Sequence, residues 1–411
     1  MSLPASLRID AGRARVRLDP RDPVFVQDPY ATYDVIRAAC PAFFWEELGF
    51  RCLATHEDVS ALFRDRRFGR EILHMATRDE LGWPAPQAHT ALFDAVDADS
   101  MLQREPPVHT RLRTLVNRAF VSRQIDRLRP RIATLAHGLI DGFADASEVE
   151  LIEAFATPIP VTLIAELLGV PTSMTPSLLD WSHRMVAMYQ LDRSRAIEDA
   201  AVAATGDFVA FLKDYVKERR SRPADDLISH LIAVEAEGAK LSEDELIATC
   251  ILLLNAGHEA TVHSIGNGVK AILESGQEPG AVFSDTESAV EELLRYDAPL
   301  HLFHRFALED VDLPSGRIRK GEKIGLMLGA ANRDPARFED PATFRPQRPR
   351  APHMSFGGGI HFCVGAPLAR LELEVALPIL FDRLPGLRLA EVPRYSDTYH
   401  FHGLERLRLR W

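Results

Sequence analysis

Phe356-Gly357-Gly358-Gly359-Ile360-His361-Phe362-Cys363-Val364-Gly365 places one cysteine in a glycine-rich turn. The residues after it, Ala366-Pro367-Leu368-Ala369-Arg370-Leu371-Glu372-Leu373-Glu374, read as the start of an amphipathic helix. Glycine allows backbone conformations closed to other residues and lets another group approach the main chain. A cysteine near a helix N-terminus, among main-chain N–H groups, is poised to be a thiolate. A thiolate in such a donor-rich loop is what an axial haem ligand needs. The competing reading is a buried structural thiol, since free cysteine is among the most buried residue types. A phosphate-cradling loop would need the lysine and Ser/Thr that are missing here. A zinc site would need a second ligand pair beside His361 and Cys363, and Cys40, Cys52 and Cys250 are isolated.

The same ten residues resemble the haem-binding loop of the cytochrome P450 family, Phe-Gly-x-Gly-x-His-x-Cys-x-Gly. The resemblance implies a mainly α fold with small β regions, built as a single domain over residues 1–411. It implies haem b (iron protoporphyrin IX) between a long central helix and the cysteine loop. Cys363 would be the iron ligand, with Phe356, His361 and Gly365 in the cofactor loop. The expected type is the soluble bacterial haem-thiolate monooxygenase, which uses O2.

Composition agrees. The chain has 411 residues, 46% of them hydrophobic, which is ample for one large core. No repeat, low-complexity run or Gly/Ser linker divides it. Residues Met1 to Val26 contain no apolar h-region, and no apolar span reaches 18 residues, so neither a signal peptide nor a membrane anchor is expected. Four scattered cysteines make no disulfide framework and fit a reducing cytoplasm. A net charge of −11 argues against nucleic acid as a partner of the whole protein. A monomer is expected.

Along the chain, Phe43-Phe44-Trp45 and Phe50-Arg51-Cys52-Leu53 read as a hairpin, and Thr55 to Phe63 as a short helix. Glu71 to Ser100 reads as irregular; the family places a loop closing over the haem there, with Phe93 as a pocket candidate. His109 and Arg113 are four apart and share a helix face. A solvated basic face is the plain reading, whereas the resemblance makes them haem-propionate ligands. Arg111, Arg118, Arg123, Arg127, Arg129 and Arg131 form a basic patch in an acidic protein. An acidic ferredoxin or flavodoxin docking near Arg111 and Arg118, carrying electrons from NAD(P)H, is the expected partner. Residues Pro130 to Glu235 show helical periodicity, with a Met/aromatic stripe at Trp181, Met185, Met188 and Tyr189.

The strongest helix signal begins at the capping box Ser242-Glu243-Asp244-Glu245 and runs to Leu273, with Gly276 suited to the C-terminal cap. Its middle reads Asn255-Ala256-Gly257-His258-Glu259-Ala260-Thr261. Polar residues and glycine destabilise a buried helix, which marks function. Gly257 is expected to admit a flat cofactor, with Ala256 against it, and Glu259 to relay protons. The family pattern has acid then threonine at 259 and 260; here Ala260 follows the acid and Thr261 lies one place on, rotated by about 100°. Glu259, Thr261 and Asn255 are the catalytic candidates. Glu292 and Arg295 lie three apart and match the family's internal Glu-x-x-Arg network, with Arg345 or Arg348 as third partner. Arg305 matches a further propionate arginine. Leu252, His301, Phe303 and Phe401 complete the substrate-pocket candidates, with a satisfied core role as the alternative for His301. An apolar small molecule is the expected substrate, hydroxylated or epoxidised. A peroxide-driven peroxygenase and a non-catalytic haem- or ligand-binding member are the alternatives.

Overall fold

The computed structural model describes residues 2–119, 125–235 and 241–411. Arg123, counted above in the basic run, lies outside them. The chain divides into two compact units, Met1–Met75 with Arg129–Ala156 and Ala260–Trp411, and Ala76–Leu128 with Thr157–Glu259. The cut between Glu259 and Ala260 falls inside one helix, Glu243–Ser275.

The first unit holds every described strand. Its largest sheet runs in the order Arg8–Asp10, Arg15–Arg17, Ala42–Trp45, Phe50–Leu53, Lys323–Met327, Leu302–Ala307, Phe68–Gly69. The expected hairpin is present, with Phe43 opposite Cys52 and Trp45 opposite Phe50. Alternation decides its faces: Phe43 and Trp45 are buried while Ala42 and Phe44 are not. Trp45 satisfies its one polar atom by donating Nε1–H to the Leu18 carbonyl at 2.8 Å. The helix His56–Arg64 follows, capped by Thr55, whose hydroxyl accepts from the Asp58 N–H at 3.1 Å. The tail pairs Arg388–Leu389 with Arg408–Arg410, and Arg394–Tyr395 with Leu404–Arg406. Asn267 pins it to the long helix by donating Nδ2–H to the His402 carbonyl at 2.8 Å.

The second unit is helical among the described residues. Where Glu71 to Ser100 reads as irregular, the structure instead forms a turn at Ala88–Thr90 and a helix at Ala91–Asp99. Proline and glycine before residue 88 hide an apolar repeat that places Phe93 inward. The long helix has 33 residues, about 50 Å at the standard rise. Its capping box closes in both directions, Ser242 N–H to Glu245 Oε2 at 2.9 Å and Glu245 N–H to Ser242 Oγ at 3.1 Å. Gly276, at φ +66°, lies just past its last residue.

Two acids in the first unit fix the approach to Cys363. Glu292 and Arg295, each with a 2% exposed side chain, form a bidentate pair at 2.7 and 2.8 Å. Arg348 supplies the third side chain, its Nε 3.1 and 3.2 Å from the carboxylate, and Arg345 gives only its backbone N–H at 2.9 Å. Arg295 also donates to the Asn332 carbonyl, and the Asn332 side chain holds Met354 N–H and Ser355 Oγ just before the cysteine loop. Beside it, Glu291 meets the Arg370 guanidinium and the His353 ring. Ser355 N–H donates to His353 Nδ1, so the ring proton sits on Nε2 and faces Glu291 at 3.4 Å. Burial alone would raise the Glu291 pKa; His353 and Arg370 outweigh it and hold the carboxyl at about 2.

Glu292→Ala or Arg295→Ala strands a buried charge and should destabilise the fold by about 3–5 kcal/mol in chemical denaturation. Arg345→Ala, whose side chain is exposed, should lose less than about 1 kcal/mol; equal losses in all three would contradict the network. The folded Glu291 pKa is depressed, so its contribution is present above the unfolded value of about 4.3 and fades as pH falls toward the folded value. Thermal melts should therefore drop less steeply below about pH 5 in Glu291→Gln than in the parent chain.

Candidate active site

In the cysteine loop, Gly357 N–H donates to the Met354 carbonyl at 2.8 Å and Cys363 N–H to the Phe356 carbonyl at 3.0 Å. Gly357 and Gly359 have φ of +65° and +67°, which L side chains rarely adopt. A Cβ on Gly359 would lie 2.0 Å from the Phe63 carbonyl oxygen, so this glycine is also required by the helix end it presses on. Gly365 caps the helix Ala366–Arg383, and Cys363 stands two residues before that cap. The helix's unsatisfied amides favour negative charge there. Arg370, one turn into the helix, reaches back over the Phe356 ring at 4.5 Å. In the sequence Arg370 carries no signal beyond its place in the helix start.

Cys363 is partly exposed, whereas Cys40, Cys52 and Cys250 are buried. Burial raises all three buried thiols, Cys250 to about 12 and Cys52 further. A thiolate is therefore disfavoured at those three positions. Cys363 lies on a glycine-shaped turn before a helix, and this donor set fits a thiolate-ligated haem.

Arg305 is 4% exposed, lies over the Phe63 ring at 5.0 Å and donates to the His304 carbonyl at 2.9 Å. Arg70 donates to the same carbonyl at 3.3 Å. Two buried guanidiniums on one carbonyl concentrate positive charge, suited to anionic carboxylates. Arg70 carries no signal in the sequence; only the fold brings it beside Arg305. Burial and then the Arg70 cation push the His304 pKa well down.

His301 is placed in the core, not in an open pocket. It is 1% exposed, with Nδ1 2.8 Å from the Tyr33 hydroxyl and its ring 4.4 Å from that of His402. Burial, followed by the His402 charge, drives its pKa well below the usual imidazole value. Phe303 carries Arg70 over its ring at 5.5 Å and has His400 at 6.2 Å. Phe401 bridges Leu300 and faces the His263 ring at 5.7 Å.

In the second unit, His109 is buried, and Arg113 donates Nε–H to Asn117 Oδ1 at 3.0 Å. Both lie on the helix Val108–Ala119. Arg111 is engaged by Glu245 in two hydrogen bonds, at 2.5 and 3.0 Å, so its charge is committed internally; Arg118 is exposed. Phe93 is buried beside Tyr189, ring centroids 6.5 Å apart. On the long helix Ala256 is exposed and Leu252, Asn255 and Glu259 are partly so, while Ile251, Leu253, Leu254 and His258 are buried. A Cβ on Gly257 would lie 3.0 Å from Ile164 Cγ1, so this glycine admits the helix Pro158–Leu168. Asn255 directs Nδ2 at the Met185 sulfur, 3.8 Å away, and its Oδ1 has no hydrogen-bond partner among the described residues. Glu259 lies 3.5 Å from His183 Nε2, and this contact raises the His183 pKa. Further along the same helix, Thr261 is 5% exposed.

Comparison with known proteins agrees with this geometry. A family model described as Cytochrome P450 matches residues 286–384. The biotin biosynthesis cytochrome P450 of Bacillus subtilis is 35% identical over 392 residues, spanning 93% of this chain and 96% of that protein. The 6-deoxyerythronolide B hydroxylase of Saccharopolyspora erythraea is 37% identical, spanning 89% and 91%. A crystal structure of P450BioI, in complex with an acyl carrier protein bearing hexadec-9Z-enoic acid, superposes with a TM-score of 0.88 at 34% identity and covers 94% of this chain and all of that one. No helix among the described residues is long and apolar enough to cross a membrane. With the cysteine loop, the buried Glu-x-x-Arg pair and relatives matched across nearly their whole length, the chain belongs to the cytochrome P450 family of haem-dependent monooxygenases.

Proposed function

We propose that this chain, acting as a single-domain cytoplasmic monomer, inserts one atom of O2 into an apolar small molecule, with electrons from NAD(P)H delivered by a ferredoxin- or flavodoxin-type partner. The observation that carries the reading is Cys363, the one partly exposed cysteine, on a turn that Gly357 and Gly359 shape before a helix N-terminus. Bound through this thiolate, haem supplies the oxygen chemistry that no side chain can. The protein supplies charge, orientation and protons. His361, Arg305 and Arg70 are the candidates to neutralise the propionates.

Glu259 is the proton-holding group, and its contact with exposed His183 gives it a route toward water. Ala260 offers no hydroxyl, and Thr261 is buried at the next position, about 100° around the helix. Asn255 Oδ1 remains as an acceptor able to orient a water or a substrate hydroxyl. Retention of Glu259 favours the O2 route over a peroxide-driven one. Leu252, Phe93, Phe303 and Phe401 favour an apolar substrate, and the acyl group carried in the P450BioI complex makes fatty acyl chains the first class to screen.

Four variants test this. Cys363→Ala should lose turnover and the thiolate-type absorption of the reduced, carbon-monoxide-bound form; full turnover in that variant would overturn the reading. Ala260→Thr should raise product formed per NAD(P)H consumed, whereas Glu259→Gln should lower turnover by about 10²–10⁴-fold, the range of a lost acid–base group. Arg118→Glu should slow reduction by an acidic partner, more at low than at high salt.

A further inference from the structure

The helices Thr175–Val186 and Glu243–Ser275 bring two imidazoles and a carboxylate together at one point. Glu259 Oε2 lies 3.5 Å from His183 Nε2 and 3.4 Å from His258 Nε2, and the three ligand atoms fall within 4.8 Å of one another. His258 makes this more than a surface cluster. It is fully buried, and its Nδ1 lies 2.8 Å from the Leu254 carbonyl. A carbonyl only accepts, so Nδ1 carries the proton and the neutral ring has its lone pair on Nε2. That nitrogen has no hydrogen-bond partner among the described residues and lies 3.4 Å from the Glu259 carboxylate, itself a set of lone pairs. A buried imidazole lone pair this close to a carboxylate calls for a cation between them.

We propose that His183 Nε2, His258 Nε2 and the Glu259 carboxylate bind one divalent transition-metal ion of the Zn2+ type. Two imidazoles with one carboxylate suit zinc and its neighbours, whereas Mg2+ and Ca2+ prefer oxygen alone. Ligands about 2.0–2.1 Å from a tetrahedral ion stand about 3.3–3.4 Å apart, and two of the three edges here are 3.4 and 3.5 Å. His183, with its side chain 57% exposed, closes the third edge by a rotamer change and leaves a fourth position for water. The bond from Nδ1 to the Leu254 carbonyl is the outer-sphere support that metal-binding histidines use. Occupancy ties up the Glu259 carboxylate and so slows turnover; only this consequence rests on the proton-holding role proposed above.

The test is calorimetric titration of the haem-loaded full chain, free of any purification tag, with ZnCl2, and with MgCl2 as control. One Zn2+ per chain should bind, and His183→Ala and Glu259→Gln should each weaken it by at least the roughly 10–100-fold that even an outer-sphere partner contributes. His183 is on the surface, so that variant keeps the fold. No saturable Zn2+ isotherm, or one unchanged in both variants, would overturn the site and leave a proton as the cation between His258 and Glu259. Binding that leaves turnover untouched supports the site and instead removes Glu259 from proton delivery.

Discussion

A carboxylate buried among guanidiniums persists only when its oxygens and the surrounding N–H groups are matched, because desolvation otherwise outweighs the Coulombic attraction. Glu292 meets that demand with the Arg295 fork, the Arg348 Nε and the Arg345 backbone N–H. The matching has a reach beyond the pair. Arg295 holds the Asn332 carbonyl, and Asn332 in turn holds Met354 and Ser355, the residues that deliver the chain into the cysteine turn. From the other side, Gly359 is pressed on the end of the helix His56–Arg64, and Arg370 closes over Phe356. The Cys363 turn is therefore held in a frame fixed at both ends, the kind of support that pre-organises a side chain.

The long helix answers a different demand. Most of its length is apolar and buried, yet its centre carries Asn255, Gly257, His258 and Glu259. Each departure has its own cause. Gly257 lets Ile164 approach, His258 is held to the backbone one turn back, and Ala256 leaves its own face uncovered. Glu259 and Asn255 are the groups proposed above to serve chemistry. What reads in sequence as one polar interruption is three packing solutions and a small reactive set.

Legibility followed the range of the interaction. The capping box, the Gly276 stop, the hairpin and the Glu292–Arg295 pair join residues three to eleven apart, and their geometry follows from local periodicity. The cysteine loop was legible because its glycines answer strain within the turn itself. Interactions between distant residues were not legible. Arg111 reads as a free surface cation until Glu245 is found beside it, and Arg70 has no neighbour in sequence to suggest His304. His301 left both readings open because a strand alternates faces without saying which face is dry; the Tyr33 hydroxyl decides it. The helix Ala91–Asp99 was missed because turn-forming residues before it outweighed a short apolar repeat.

The large sheet pairs Leu53 with Leu326 in parallel, and everything between them, including the whole helical unit, must be made before that pair can form. At a ribosomal pace of about 5–20 residues per second, the free edge of Phe50–Leu53 waits tens of seconds for its neighbour. The segment Thr157–Glu259 emerges meanwhile and makes its contacts nearer in sequence. Assembly during synthesis is thereby ordered, with helices first and the large sheet completed late, after a period in which an apolar strand edge stands open to wrong partners.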